Sequence, residues 1–426
     1  MQGDFLYHTE GNEIMPQEKN NIDEVLDFCV NLSRKMIVSG ANLERIQLAV
    51  EFICRAYSLK DLSIFLLSTH ISISAYDSDG RYSSRQASIP PAGIHLERLK
   101  SLNQLSYRVA EITPPTKLLA NMLEKASNVR DYNDMIVLIG RICAVFCLCF
   151  MFGGSFSDLL PVAFLVSLIH FMMPLFAKAG LDRLVINSLT MFIAASSAIL
   201  FVYSGLNHNL PAVLISISLL VIPGIPLVNA MRNLLCGNEI NGILQMLKIF
   251  VDTMALGMGI YAAVMLFGGD SLMSGAGSLT SPDPSIMVIL SFIASVSFGV
   301  VFRIPPKDLW LAGLGGALTR IALLMFTPLI SGRLLYMTAS ASVAALYAEY
   351  LAVKRRQPST YFVYPSIIPL IPADLFFFSL TGLYLGELSR FMNHGINCLL
   401  SLAGLSIGFV LSSTVSHYVR KLRYYS

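Results

Sequence analysis

The chain has 426 residues, of which 54% are hydrophobic and only 13% charged, with a mean hydropathy of +0.63. This balance lies outside the composition of soluble globular domains and marks an integral membrane protein. The net charge of +3 excludes a composition-driven affinity for nucleic acid or any other polyanion.

Residues 1–20 read as a disordered tail with neither a basic n-region nor an apolar core, so no cleavable signal peptide is expected. Residues 21–130 have the pattern of a cytoplasmic α/β domain. Ile22, Val25, Leu26, Phe28, Cys29, Leu32 and Met36 recur at helical spacing against Asp23, Glu24, Arg34 and Lys35. A second amphipathic helix follows in "SGANLERIQLAVEFICRAYSL", with Asn42 expected as its N-cap. "LSIFLLSTHISISAYDSDGRYSSRQASI" reads as strands with a turn at Ser78, Asp79 and Gly80, and helices are expected over about 93–112 and 115–128.

From about 135 onward, ten apolar runs have membrane-crossing length: about 135–153, 158–177, 184–204, 210–230, 245–267, 285–302, 309–330, 334–353, 361–384 and 396–417. With the N-terminus inside, the inner loops and tail hold Lys178, Arg183, Arg232, Arg303, Lys307, Lys354, Arg355, Arg356, Arg420, Lys421 and Arg423, whereas the outer loops hold only Arg333 and Arg390. That asymmetry follows the positive-inside rule and puts both termini in the cytoplasm. The expected location is the cytoplasmic membrane, with multiple passes.

The Gly/Ser/Pro-rich stretch at 269–284 reads as an external linker between two five-helix halves, 131–268 and 285–419, with 420–426 as a cytoplasmic tail. At an offset of 150 residues Phe152, Asp158 and Leu159 match Phe302, Asp308 and Leu309. "IPGIPLVNA" then meets "IPLIPADLF", pairing Pro223 and Pro226 with Pro369 and Pro372 once four loop residues are dropped. An odd number of helices per half gives the second half opposite polarity. The expected fold class is therefore a polytopic α-helical membrane protein built of two inverted five-helix repeats, the architecture of many secondary transporters.

Pro223, Gly224 and Pro226 in one half, and Pro365, Pro369 and Pro372 in the other, break helices where lipid offers no hydrogen bonds. Carbonyls freed there must face protein or a water-filled cavity, and matched breaks point to a substrate site at the midplane. A kink that only shapes packing is the alternative. Polar residues within spans are His170, Asn187, Asn229, Lys248, Asp252, Arg320, Glu349 and Asp374. Asp374 can accept a proton or pair with an amine; Asp252 is a second proton-coupling candidate, or the partner of Lys248 one turn before it. Asn187 and Asn229 can bond an amino or carboxylate group, or tie helices together; Arg320 suits a carboxylate of substrate or protein. His170 is a candidate proton relay or a packing residue. "GMGIYAAVMLFGG" and "AGLGGAL" allow close helix approach. The seven cysteines, at 29, 54, 143, 147, 149, 236 and 398, read as core residues; no metal or cofactor is expected. There is no Walker A pattern, no G-x-S-x-G and no HExxH, so neither ATP-driven pumping nor a recognised hydrolase site is indicated.

"SGANLERI", "FGGSFSDLL", "IPGIPLVNAMRNLLCGNEINGILQ", "SFGVVFRIP" and "YPSIIPLIPADL" together resemble the signature segments of the ThrE threonine/serine exporter family, over about residues 20–420. The chain is similar to a fused form of the two-part YjjP/YjjB-type arrangement, which is associated with succinate export. The resemblance implies a cytoplasmic N-domain, ten spans and efflux of small hydroxy amino acids driven by an ion gradient, with an antiport of protons. Its motif positions fall on Gly40, Ala41 and Glu44, on Pro223 and Gly224, and on Pro365, Pro369 and Pro372. Ser366 and Ala373 replace two glycines usual in the family's second break. Implied partners are a small amino acid or a dicarboxylate, protons and the lipid bilayer, with no nucleic acid. Homo-oligomerisation is open. A membrane-anchored hydrolase or a sensor would place the chemistry in the N-domain instead.

Overall fold

The structure is a computed structural model in which residues 21–90, 93–206, 209–222, 224–267, 282–355 and 357–425 are described, with side chains as far as 415. The 1–20 tail, Pro223, Arg356, most of the 269–284 linker, the side chain of Ala373 and the tail side chains of Arg420, Lys421 and Arg423 lie outside the described residues. The chain forms two compact units. One holds residues 21–38, 43–90 and 101–128; the other holds 39–42, 93–100 and 129–425.

In the first unit, α1 (Ile22–Val38) and α2 (Leu43–Ala56) precede three strands, β1 (Lys60–Leu66), β2 (His70–Tyr76) and β3 (Tyr82–Ser88), which form an antiparallel sheet in the order β1-β2-β3. Then come the part of α3 (Leu96–Ile112) that lies in this unit and α4 (Thr116–Ser127). The apolar face of α1 is buried as its spacing requires. Ile71, Ile73 and Ala75 point inward from alternate positions of β2. Between β2 and β3, Asp77 Oδ1 accepts from the backbone N–H groups of Asp79 and Arg81, both at 2.9 Å, and Gly80 takes φ +81°. Asp23 accepts from Ser83 Oγ at 2.5 Å and pairs with Arg85 at 2.9 Å and Arg81 at 2.6 Å. The Ser83 hydrogen bond and the two guanidinium groups outweigh burial and hold its carboxyl below the usual range.

The second unit is built of helices. α5 (Asp134–Met151), α6 (Leu159–Lys178), α7 (Arg183–Tyr203), α8 (Leu210–Val221), α9 (Gly224–Leu235) and α10 (Glu239–Phe267) are followed by α11 (Pro284–Val301), α12 (Leu309–Leu329), α13 (Arg333–Arg355), α14 (Thr360–Ser366), α15 (Ala373–Tyr384) and α16 (Leu388–Tyr425). α5, α6 and α7 each begin 150 residues before their counterparts; α9 and α10 begin 149 before theirs. Short 3-10 turns, Phe156–Asp158 and Pro306–Asp308, lead into α6 and α12, and each buries its aspartate. Even the turn before them repeats: Gly153 takes φ +87° and Arg303 takes φ +63°. An arginine in that left-handed conformation is held by Asp131, which its Nη1 contacts, and by the Tyr132 carbonyl at 3.2 Å.

Among the described residues seven helices are long and apolar enough to cross a membrane. Two bent pairs raise the count to nine: Leu210–Val221 with Gly224–Leu235, bent by 62°, and Thr360–Ser366 with Ile368–Tyr384, bent by 46°. The tenth expected span is α13. Its 23 residues reach about 35 Å, enough for a bilayer, but Arg333, Glu349, Lys354 and Arg355 and its Ala/Ser/Thr-rich middle make it less apolar than the rest.

Each bent pair divides its packing between two cores. The core formed by α5, α6, α7 and α8 includes Phe377 and Phe378 of α15, whereas Leu227, Val228 and Ala230 of α9 sit in the core of α13 and α16 with Ala341, Ala344 and Leu405. The helix that follows each break therefore packs on the last helix of its own half and also contributes side chains to the core of the other. Close approach relies on small residues, as the glycine runs suggest: a β-carbon at Gly259 would collide with the Ser188 carbonyl, and one at Gly316 with Ser295 Oγ.

Candidate functional site

The residue at which each break begins has the same backbone conformation. Ile222 ends α8 at φ −64°, ψ 123°, and Ile371 precedes α15 at φ −63°, ψ 119°. Both are extended residues followed by a proline, whose ring disfavours helical geometry in the residue before it. The structure thus shifts the pairing of the halves by three residues. Ile222 corresponds to Ile371, and no loop deletion of four residues is required. The repeated P-x-x-P spacing had suggested the other alignment, but Pro226 lies in the first turn of α9, where no backbone donor is needed, and is exposed. Pro365 lies inside α14, and Pro369 in a 3-10 turn, Ile368–Leu370.

The breaks meet. A β-carbon at Gly224 would stand 3.0 Å from Ile371 Cγ2 and 3.1 Å from its Cδ1, so only glycine lets α9 begin against the second break without displacing that side chain. Freed carbonyls find local partners: Gly224 N–H donates to the Ile222 carbonyl at 2.8 Å, and Cys398 Sγ approaches the Pro372 carbonyl at 3.7 Å.

Asp374 stands in the first turn of α15, where its carboxylate accepts backbone N–H groups of its own residue and of Leu375. Arg320, Arg333 and His394 are the charged groups that act on it or that it acts on. Arg320 Nε donates to Ser291 Oγ at 3.1 Å. α9 begins at its break without an acidic residue in the first turn, so the positive end of its dipole is not met by a carboxylate of its own first turn, although the Gly224 N–H is already donated and Pro226 has none.

The remaining candidates are engaged elsewhere. Asp252 is paired with Arg183 of α7 at 3.1 Å rather than with Lys248, which is exposed. The sequence could show the i,i+4 spacing but not the approach of α7. His170 Nδ1 lies 2.7 Å from Arg141 Nη1; a guanidinium only donates, so Nδ1 is the acceptor. Asn187 is buried on α7.

Asn229 Nδ2 donates to the Tyr364 hydroxyl at 3.0 Å, and that hydroxyl donates to the Gly40 carbonyl at 3.0 Å. Gly40 and Ala41 lie in the 39–42 loop of the second unit, and Glu44 in the first turn of α2 in the first unit. Asn42 stands directly before α2, as an N-cap would, yet its side-chain oxygen is buried without a hydrogen-bond partner among the described residues. Its loop belongs to the second unit, so the expected N-cap hydrogen bond is not made. Sequence reasoning missed Tyr364, Arg183 and Arg141. Only Tyr364 carried a signal, since it precedes the first proline of the second break.

No group of three or more His, Cys, Asp or Glu residues is placed to hold a metal ion among the described residues. Compared with known families, residues 27–267 match the model described as "Putative threonine/serine exporter" and residues 287–415 the model described as "Threonine/Serine exporter, ThrE". No curated protein and no solved structure matches the chain.

Proposed function

Because the chain belongs to the threonine/serine exporter family, we propose that it carries threonine and serine out of the cytoplasm as a secondary transporter, with the two breaks as its substrate site. The observation that supports this most is the contact of Gly224 with Ile371 between breaks whose first extended residues share one backbone conformation, with Asp374 one turn away. A zwitterionic amino acid needs an anion-binding and a cation-binding group a few ångströms apart. The N-terminus of α9 suits the α-carboxylate and Asp374 suits the α-ammonium.

In this reading the membrane unit is an inverted repeat of five-helix halves, and α13 is the tenth span. Asp374 exchanges its substrate ammonium for a proton, which couples efflux to proton entry. Alternating access would use the exchanged packing of α9 and α15, since tilting one half moves the other half's break. Arg320 favours a second reading, in which a dicarboxylate such as succinate is the cargo and the guanidinium binds its second carboxylate.

Proteoliposomes loaded in turn with labelled threonine, serine and succinate test both. Faster loss of threonine or serine when the outside is acidified supports the amino-acid exporter. Loss of succinate alone moves the protein to dicarboxylates, and retention of all three refutes the transport reading for these substrates.

A further inference from the structure

Tyr364 joins three separate pieces of chain. Its hydroxyl accepts from Asn229, on the helix after the first break, and donates to the backbone of Gly40, while its own position is seven residues before the second break at Ile371. The ring is 3% exposed, so this hydroxyl has no competing water in the closed arrangement. With the N-terminus inside, Asn229 and Tyr364 both fall at the inner ends of their bent pairs, and the 39–42 loop lies on that same side.

The loop is shaped for this contact. Gly40 takes φ +96°, which an L side chain rarely adopts, and this turn presents its carbonyl to Tyr364. His95 N–H donates to the Ser39 carbonyl at 3.1 Å and Leu96 N–H to the Phe302 carbonyl at 2.9 Å, fixing the loop through 93–100 to the end of α11. Beside it, Lys100 lies over the Tyr361 ring at 5.6 Å, and the Tyr361 hydroxyl donates to Asp308 at 3.0 Å. Among the described residues two side-chain oxygens near these positions in the chain are buried without hydrogen-bond partners: Asn42 Oδ1, two residues after Gly40, and Thr360 Oγ1, one helical turn before Tyr364. The Asn42 oxygen, which belongs to the loop, opposes closure, because a buried unsatisfied acceptor regains water when the loop withdraws.

We propose that Tyr364 is the inner gate residue of the path and that the Gly40 carbonyl latches it, so that the inner side opens only when the 39–42 loop releases the tyrosine. Tyr364 acts here as a positioning residue: it holds α14 and α9 together and closes the inner approach to the breaks. The proposal rests on the reading that the breaks line a path, but its test needs no substrate.

In full-length protein carrying Ile371→Cys, a membrane-impermeant maleimide is applied to inside-out vesicles, and labelling of residue 371 is read by peptide mass spectrometry. Tyr364→Phe keeps the ring and removes both hydrogen bonds. It should raise the labelling rate from the inner face by about five- to tenfold, with no rise in right-side-out vesicles. Gly40→Ala, which strains the turn that presents the carbonyl, should act in the same direction and serves if the first variant does not accumulate. Unchanged inner labelling in the variants, or an equal rise from both faces, would overturn the gate. Threonine efflux by the same variants with Ile371 restored separates the two readings. Efflux with unchanged labelling removes the gate alone; raised inner labelling without efflux of any candidate solute removes the substrate assignment alone.

Discussion

Gly224 and Ile371, 147 residues apart in sequence, touch where the two bent helices break, and a β-carbon on the glycine would come within 3.0 Å of the isoleucine Cγ2. Gly224→Val should therefore overpack the site and cost about 1–3 kcal/mol, read as a lower unfolding temperature of the detergent-purified protein. Adding Ile371→Ala to it should recover most of the loss, whereas additive losses would place the two side chains out of contact.

Gly315 makes the equivalent approach behind the second break. A β-carbon there would collide with Ser366 Oγ, itself bound to the Phe362 carbonyl at 2.7 Å. Gly315→Ala should destabilise by about 1–3 kcal/mol. Ser366→Gly, which removes the hydroxyl that the added carbon meets, should relieve it in a double variant measured by thermal unfolding.

The breaks were legible in the sequence because lipid cannot satisfy opened backbone, so clustered prolines in apolar runs need a reason. Their register was not. P-x-x-P occurs in both halves and draws Pro223 to Pro369, whereas the backbone repeats at Ile222 and Ile371, because the residue before a proline, not the proline spacing, sets where the helix ends. Local spacing misled twice more. Lys248 lies one turn from Asp252 but on an exposed face, and Asn42 precedes α2 but does not make the N-cap hydrogen bond. Contacts such as Tyr364 with Gly40 join residues hundreds of positions apart, and a single sequence carries no pattern for them.

Arg183 and Asp252 form a half-open pair, with side chains 49% and 11% exposed. Arg183→Ala should cost about 1–2 kcal/mol, between the values for surface and buried pairs. Asp252→Asn should leave efflux dependent on the proton gradient, since this carboxylate is committed to arginine. Loss of gradient dependence in that variant would make Asp252 the coupling group.

Below neutral pH, His95 should weaken the fold. Burial, reinforced by Arg98 and Arg303 and opposed by Asp131, pushes its imidazole below the ordinary 6.5. The unfolded chain then binds the proton more readily, so stability present above about 6.5 falls as pH drops toward the folded value. His95→Gln should flatten that part of the unfolding-temperature profile between pH 7.5 and 5.5. Asp23, held below 3.8, contributes only at more acidic pH. An unchanged slope would remove His95 as its source.

The most direct test of the central claim is the initial rate of labelled threonine efflux from proteoliposomes acidified outside, compared between the native chain, Asp374→Asn and Ile371→Trp at matched incorporation. The account predicts gradient-dependent efflux by the native chain and a fall of at least about tenfold in both variants, the loss of roughly 1.4 kcal/mol or more of site interaction. Undiminished efflux by both variants would contradict a substrate site at the breaks.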